Sequence, residues 1–462
     1  MRVGILFPLI WLRAFPLLCA GLPQPSAWVP ARWPWPETKS LELLAGSPVN
    51  CLLLQSYNPE FLAAAAEHGL VTLAVITPGK DSLAAARKAL AAKVTGIVME
   101  GDFPESDASA VKQAAGGAPF VEVTSRTRVP LGSGLPIVGT YQGVWPGIVP
   151  MESRAGPTGA TWILTNTGFI RAVRAWGGAT LWLANRPPAN TVVTGTRYRQ
   201  AIADAAMSGA RWVVSLDTGF AERLHHREER AVSDWTSMNQ VLRHFEQHPE
   251  WRGMHEYGML ALVQDPAKSG LVSGGILDMI AVKRIPLRVV PRQLLSAAAL
   301  ADVRVVLNVD AAELSAEQDR VLRDFTASGG LVLSGPKGWT DEKPKGDSFT
   351  LDQPDLDRLD ELAKEVDARI SRNSLGVRVF NAASMLSHVL VSSDEKTIVV
   401  HLVNYSDYPV QNLTLMFPGR YKAATLIAPE GSAPIRDIFQ TPDSSGLGVD
   451  RVSVCAAISL TQ

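Results

Sequence analysis

Four carboxylates stand where apolar runs of this sequence give out. Glu100 and Asp102 close the run Gly96–Met99, Glu122 lies within Phe120–Thr124, and Asp217 follows Trp212–Leu216. Two carboxyl groups held on either side of a glycosidic bond can cleave it, one protonating the leaving oxygen and the other attacking or activating water. Between Gly139 and Gly147 the chain also packs Tyr141, Gln142 and Trp145 among glycines and a proline, with Arg154–Trp162 close behind. Aromatic faces cover the apolar side of a sugar ring, and Gln or Arg side chains bond its hydroxyls. Arg126, Trp182 and Asn185, at or just after the ends of other apolar runs, complete the candidate binding set. The Gly139–Trp162 stretch reads equally well as a lid packed on a core.

What positions these residues is an alternation of strand and helix that begins near Ser47. Runs without period-two alternation occur at Val49–Gln55, Val71–Ile76, Gly96–Met99, Phe120–Thr124, Ile137–Tyr141, Thr180–Ala184 and Trp212–Leu216. Parallel strands covered by helices on both faces have this pattern. Ala-rich or amphipathic segments lie between them: Pro59–His68, Ser82–Lys93, Asp107–Ala115, Asn166–Trp176, Arg197–Ser208 and Asp234–His248, with Ser82 and Asp107 as N-caps. Seven β/α steps predict an α/β fold of (β/α)8-type TIM barrel, whole or incomplete, over residues 28–256. In such a barrel the working residues sit at the C-terminal ends of the strands and in the loops that follow, where the candidates above fall except Glu122, which lies within its run.

A second α/β unit is expected over 257–345. Its strands are Met259–Val263, Leu287–Val290, Val303–Asn308 and Gly330–Ser334, and its helices Ser273–Ile280 and Ser315–Ser328. Ser315 and Gln318 form a capping box, and Gly329-Gly330 stop the helix. This is the pattern of a small flavodoxin-like sheet. Residues 346–376 read as a loop and a connecting helix, Leu356–Ile370. From Val377 to the end, alternation with period two, best in Thr397–Val403 and Val410–Phe417, predicts a small antiparallel β-sandwich over 377–462.

The chain has 462 residues, 46% hydrophobic and 19% charged, a net charge of −1 and a pI near 6.7. No field of either sign would gather nucleic acid, so no nucleic-acid partner is expected. Arg2, the short apolar run Val3–Leu12 and the small residues around Cys19-Ala20-Gly21 and Pro25-Ser26-Ala27 resemble a secretory signal peptide over 1–27, which implies a secreted or periplasmic protein. No stretch predicts a membrane span. Cys51 and Cys455 lie in apolar strand-like runs and are read as buried thiols, while His225-His226 belong to a solvated face. No CxxC or His-x-x-x-His pair points to a metal, and no motif calls for a cofactor.

The block Val305–Asp310, Ala312–Gln318, Leu322, Phe325 and Gly329–Val332 resembles the trimerisation-type, amidotransferase-like domain that follows the barrel in bacterial β-galactosidases of clan A. The tail Val400–Ser406, Gly419–Tyr421 and Ala428–Glu430 is similar to the C-terminal sandwich of such glycoside-hydrolase-like proteins. The resemblance implies a carbohydrate ligand, a homo-oligomer formed through the flavodoxin-like domain, and a catalytic acid after strand four with a nucleophile on strand seven. On the seven runs counted above, those positions are Glu122 and Asp217, with Glu100 as a further candidate. Amidotransferase chemistry is excluded, because no cysteine lies between Cys51 and Cys455 to act as nucleophile. Val121 stands where the family has an Asn before its acid. Two readings are therefore expected to compete: hydrolysis by a carboxylate pair, and carbohydrate binding or scaffolding on the same architecture without catalysis.

Overall fold

The computed structural model describes residues 22–148, 163–264, 286–309, 314–334 and 377–461 without 383 and 443, together with 357, 361 and 364. The core of the leader, the stretch Arg154–Trp162, the helix expected over Ser273–Ile280 and most of the expected connecting helix lie outside these residues.

Eight parallel strands make the first sheet: β1 (Pro30–Arg32), β2 (Cys51–Leu54), β3 (Val71–Ile76), β4 (Gly96–Glu100), β5 (Phe120–Thr124), β6 (Ile137–Thr140), β7 (Thr180–Leu183) and β8 (Arg211–Trp212). They pair in chain order. A parallel bridge between Ala31 and Val214 then joins the two ends, with Arg32 N donating to Val214 O at 2.8 Å and Val214 N to Pro30 O at 3.0 Å. The result is a nearly closed eight-stranded barrel. It has one strand more than the seven apolar runs: β1 lies in the Pro- and Trp-rich stretch and is too short to show a run of its own.

Helices α1 (Pro59–Glu67), α2 (Ser82–Ala91), α3 (Glu105–Ala115), α4 (Thr167–Ala175), α5 (Gly195–Met207), α6 (Thr218–His225) and α7 (Glu229–Glu246) surround it. Ser82 and Asp107 lie inside α2 and α3 rather than capping them, since the capping positions are Asp81 and Pro104. Side chains facing inward fill the barrel with Leu53, Leu73, Val98, Val121, Val123 and Trp182. The alternate positions, such as Leu54, Ile97 and Val138, pack outward under the helices. Both faces are apolar, which is why the strands read as continuous runs.

The second unit is a four-stranded parallel sheet in the order Leu287–Pro291, Leu260–Gln264, Val305–Asn308, Leu331–Ser334. Its 2-1-3-4 order is the start of the flavodoxin-type arrangement. Its helix α8 (Ala316–Ala327) opens on the expected capping box, with Ser315 and Gln318 each bonding the other's backbone. The C-terminal region forms two antiparallel sheets of six and four strands with a shared core between them. The six-stranded sheet turns Leu386, Leu390, Val399 and Val403 onto the barrel helices, so its outer face joins the barrel core. Its edge strand, His255–Glu256, comes from the segment that leaves the barrel. Cys51 and Cys455 are free, buried thiols. His225 and His226 are exposed, and His225 stacks on Trp35 at 5.8 Å.

Candidate functional site

The extra strand moves every strand-end carboxylate by one. Glu100 ends strand four, Glu122 lies on strand five, and Asp217 follows strand eight. The end of strand seven is followed by Ala184-Asn185-Arg186, where no carboxylate stands.

Glu100 lies at the C-terminal mouth, 8% exposed. Val98 faces the barrel interior, so the alternate residue Glu100 faces inward as well. Arg32, at the matching end of β1, donates from Nη1 to Glu100 Oε2 at 2.7 Å and from Nη2 to Oε1 at 2.9 Å. This is the parallel two-bond fork that suits guanidinium and carboxylate. The same Nη2 reaches Ala184 O at 2.8 Å. Burial pulls the Arg32 guanidinium below its ordinary value, and Glu100 pulls it back up. Arg186 adds longer contacts from Nη2 to Glu100 at 3.3 and 3.5 Å, and Gln55, with its amide oxygen turned inward, accepts from the same guanidinium at 3.1 and 3.2 Å.

The strand can turn away directly after Glu100 because Gly101 has φ +121°, and a Cβ there would sit 2.7 Å from Pro78. Asp102, one residue on, is held on the far side: Oδ1 accepts from Ser125 N at 2.9 Å and Oδ2 from Tyr141 Oη at 3.4 Å.

Glu122 is not at the mouth. Its neighbours Val121 and Val123 face the barrel interior, so Glu122 faces outward, where Lys112 of α3 holds it at 2.7 Å. Asp217 is the N-cap of α6. Its Oδ1 accepts from Phe220 N at 2.9 Å, and its Oδ2 from Tyr198 Oη at 2.8 Å and Val193 N at 3.4 Å. Burial pushes the Tyr198 phenol up and keeps it a donor. The structure therefore does not bring Glu122 and Asp217 together: one belongs to a strand–helix ion pair and the other to a helix cap.

The expected binding residues divide in the same way. Arg126 is buried over the Phe169 ring at 4.6 Å, and it bonds Gln142 through its backbone N and its Nε. Gln142 is thus engaged in holding the 141–148 segment to β5. Trp145 donates from Nε1 to Arg186 O at 3.0 Å and meets Tyr198 and Trp212 edge to face at 5.6 and 5.1 Å. It acts as a clamp over the segment that carries Arg186. Trp182 is wholly buried inside the barrel. Asn185 is buried and accepts from Trp212 Nε1 at 3.3 Å. Gly143 lies so close to it that a Cβ would come within 2.4 Å of Asn185 Oδ1.

Of the mouth residues, Arg32 was missed in the sequence, and Arg186 stood at a strand end there without being given a role. The only sequence signal for Arg186 was its place after an apolar run. Arg32 had none, since its strand was not legible. Among the described residues no group of three or more His, Cys, Asp or Glu is placed to hold a metal ion, and no helix is long and apolar enough to cross a membrane.

No protein-family model matches the chain, and no curated protein matches its sequence. In fold it is similar to α-L-fucosidase isoenzyme 2 from Paenibacillus thiaminolyticus, with a TM-score of 0.64 at 10% identity over 94% of this chain and 99% of that one. It is also similar to a β-galactosidase from Rahnella sp. R3, with a TM-score of 0.56 at 8% identity over 94% of this chain and 98% of that one. The chain shares the fold of these glycoside hydrolases, built on a nearly closed eight-stranded parallel barrel.

Proposed function

We propose that this is an exported carbohydrate-binding protein on a glycoside-hydrolase fold, which holds its ligand at the barrel mouth around Arg32, Glu100 and Arg186 without cleaving it. One observation carries the reading: Arg32 occupies both oxygens of Glu100. Hydrolysis needs two carboxyl groups about 5 to 9.5 Å apart, one of them able to give or take a proton at the bond. A carboxylate forked onto a buried guanidinium is poorly placed for either task. The export assignment rests on the leader alone, and an oligomer-forming role for the four-stranded domain rests on its family resemblance.

The test is to assay the purified mature protein on a panel of aryl glycosides and, in parallel, to measure its retardation in gels that contain polysaccharides. Retardation without turnover supports binding. Turnover lost in Glu100→Gln would replace this reading with hydrolysis. Turnover unaffected by that change would place a catalytic pair elsewhere in the chain.

A further inference from the structure

The polar groups of the mouth are out of balance in one direction. Two guanidinium groups share the single carboxylate of Glu100 there. Asp102, two residues on, does not correct this, because its oxygens are turned to Ser125 N and Tyr141 Oη. Two buried N–H groups of residues at the strand ends here have no partner, Arg32 Nε and Asn185 Nδ2. The Asn185 amide has its orientation fixed, since its oxygen already receives Trp212 Nε1. Buried donors without acceptors are uncommon, because each forfeits the full cost of its desolvation. Elsewhere the unpartnered buried groups include atoms that can accept, among them Ser208 Oγ, Gln264 Oε1 and Asn308 Oδ1, so the excess of donors is local to these strand ends.

The two guanidinium groups around Glu100 also differ in how tightly they are held. Arg32 is forked onto Glu100 at 2.7 and 2.9 Å with a side chain 12% exposed. Arg186 reaches Glu100 only at 3.3 Å or more, and its side chain is 45% exposed. Arg32 therefore neutralises Glu100, and Arg186 presents the remaining positive charge to solvent at the mouth. Trp145 fixes the backbone of Arg186 but leaves its guanidinium outside the clamp. A neutral sugar offers hydroxyls, which bring a donor with every acceptor. An oxyanion offers acceptors only, and Arg binds it in a two-bond fork.

We propose that the barrel mouth selects sugars that carry an oxyanion, a uronate carboxylate or a sulfate ester, with Arg186 as the residue that receives it. This inference rests on the carbohydrate-binding reading above and names its ligand class.

Affinity electrophoresis of the full mature chain tests it, in gels containing polygalacturonate, fully methyl-esterified polygalacturonate, dextran sulfate or dextran. The expected result is retardation by polygalacturonate or dextran sulfate, and none by the esterified polymer or dextran. Which of the two anionic gels retards it identifies carboxylate or sulfate as the source. Arg186→Ala should weaken the retardation about ten- to a hundred-fold, the scale of a lost charged hydrogen-bond pair. Arg230→Ala, an exposed arginine on α7, should leave it unchanged. Equal retardation by charged and neutral polymers would overturn the inference while leaving carbohydrate binding intact. So would an Arg186→Ala protein that behaves as the parent, or an equal loss in Arg230→Ala. No retardation by any polymer would remove the carbohydrate-binding reading itself. The half-exposed Arg186 side chain makes misfolding an unsuitable explanation for a loss, and a thermal melt of the variant checks this.

Discussion

Arg32 and Glu100 close a fork across the barrel mouth, with Nη1 to Oε2 at 2.7 Å and Nη2 to Oε1 at 2.9 Å, between strands one and four. Both side chains are nearly buried. Removing one partner leaves a charge in a site built for two, at a cost of about 3 kcal/mol or more. Glu100→Gln and Arg32→Met are each expected to lower stability on that scale in urea titrations. The double variant Arg32→Met/Glu100→Leu should recover most of the loss, because an apolar pair of similar volume leaves no buried charge unmatched. Single variants that each cost less than about 0.5 kcal/mol would show that the fork is solvated and weak.

The barrel, the parallel second sheet and the C-terminal sandwich were legible in the sequence because burial on both faces, or on one, writes a pattern along the chain. The strand β1 was not. Three residues among Trp and Pro make no run, and what establishes them as a strand is pairing with Cys51–Leu53 and Val214, which lie elsewhere in the sequence. That single omission shifted the strand count and with it the place of every carboxylate. The pairing of Glu100 with Arg32 and Arg186 spans 68 and 86 positions and has no local spacing to betray it. The outward direction of Glu122 was recoverable in principle from its alternation with Val121 and Val123. It was hidden because Phe120 and Thr124, on the same face, are themselves half-buried.

Asp217 is a structural residue on this geometry. Asp217→Ala removes the cap of α6, worth about 1 to 2 kcal/mol, and strips Tyr198 Oη of its acceptor, which adds roughly 1 kcal/mol or more. In the Tyr198→Phe background the same substitution should cost less, since one of its three partners is already gone. Retardation by polysaccharide, measured well below the melting temperature, should match the parent. A variant with unchanged stability and altered binding or turnover would move Asp217 into the site.

Glu122 and Lys112 form an ion pair between β5 and α3 on the outside of the barrel, with the lysine 38% exposed. Pairs of this kind contribute at most about 1 kcal/mol and are screened by salt. Glu122→Gln is therefore expected to shift the melt slightly, less so at high salt, and to leave polysaccharide binding as it was. A change in binding without a change in the melt would show that Glu122 communicates with the mouth.

The barrel meets the sandwich through histidines that have little room for a proton. His244 of α7 is 5% exposed, its Nε2 has no partner, and its ring packs on Phe245 at 4.8 Å and Trp251 at 5.3 Å. Burial, helped by His248, depresses it to about 4. His401, facing it from the sandwich, is held well below the ordinary value by burial first, then by His388, His244, Arg174 and His248. For His244 the unfolded chain takes up its proton near pH 6.5 and the folded chain only near pH 4, so between the two the unfolded state binds more protons. Stability is then complete above about pH 6.5 and falls as the pH drops toward 4, by on the order of 3 kcal/mol for His244. His244→Phe keeps the aromatic contacts and removes the titration. Urea titrations at pH 7 and pH 4 should show a smaller difference in that variant than in the parent, and equal differences would mean that His244 takes its proton without cost to the fold.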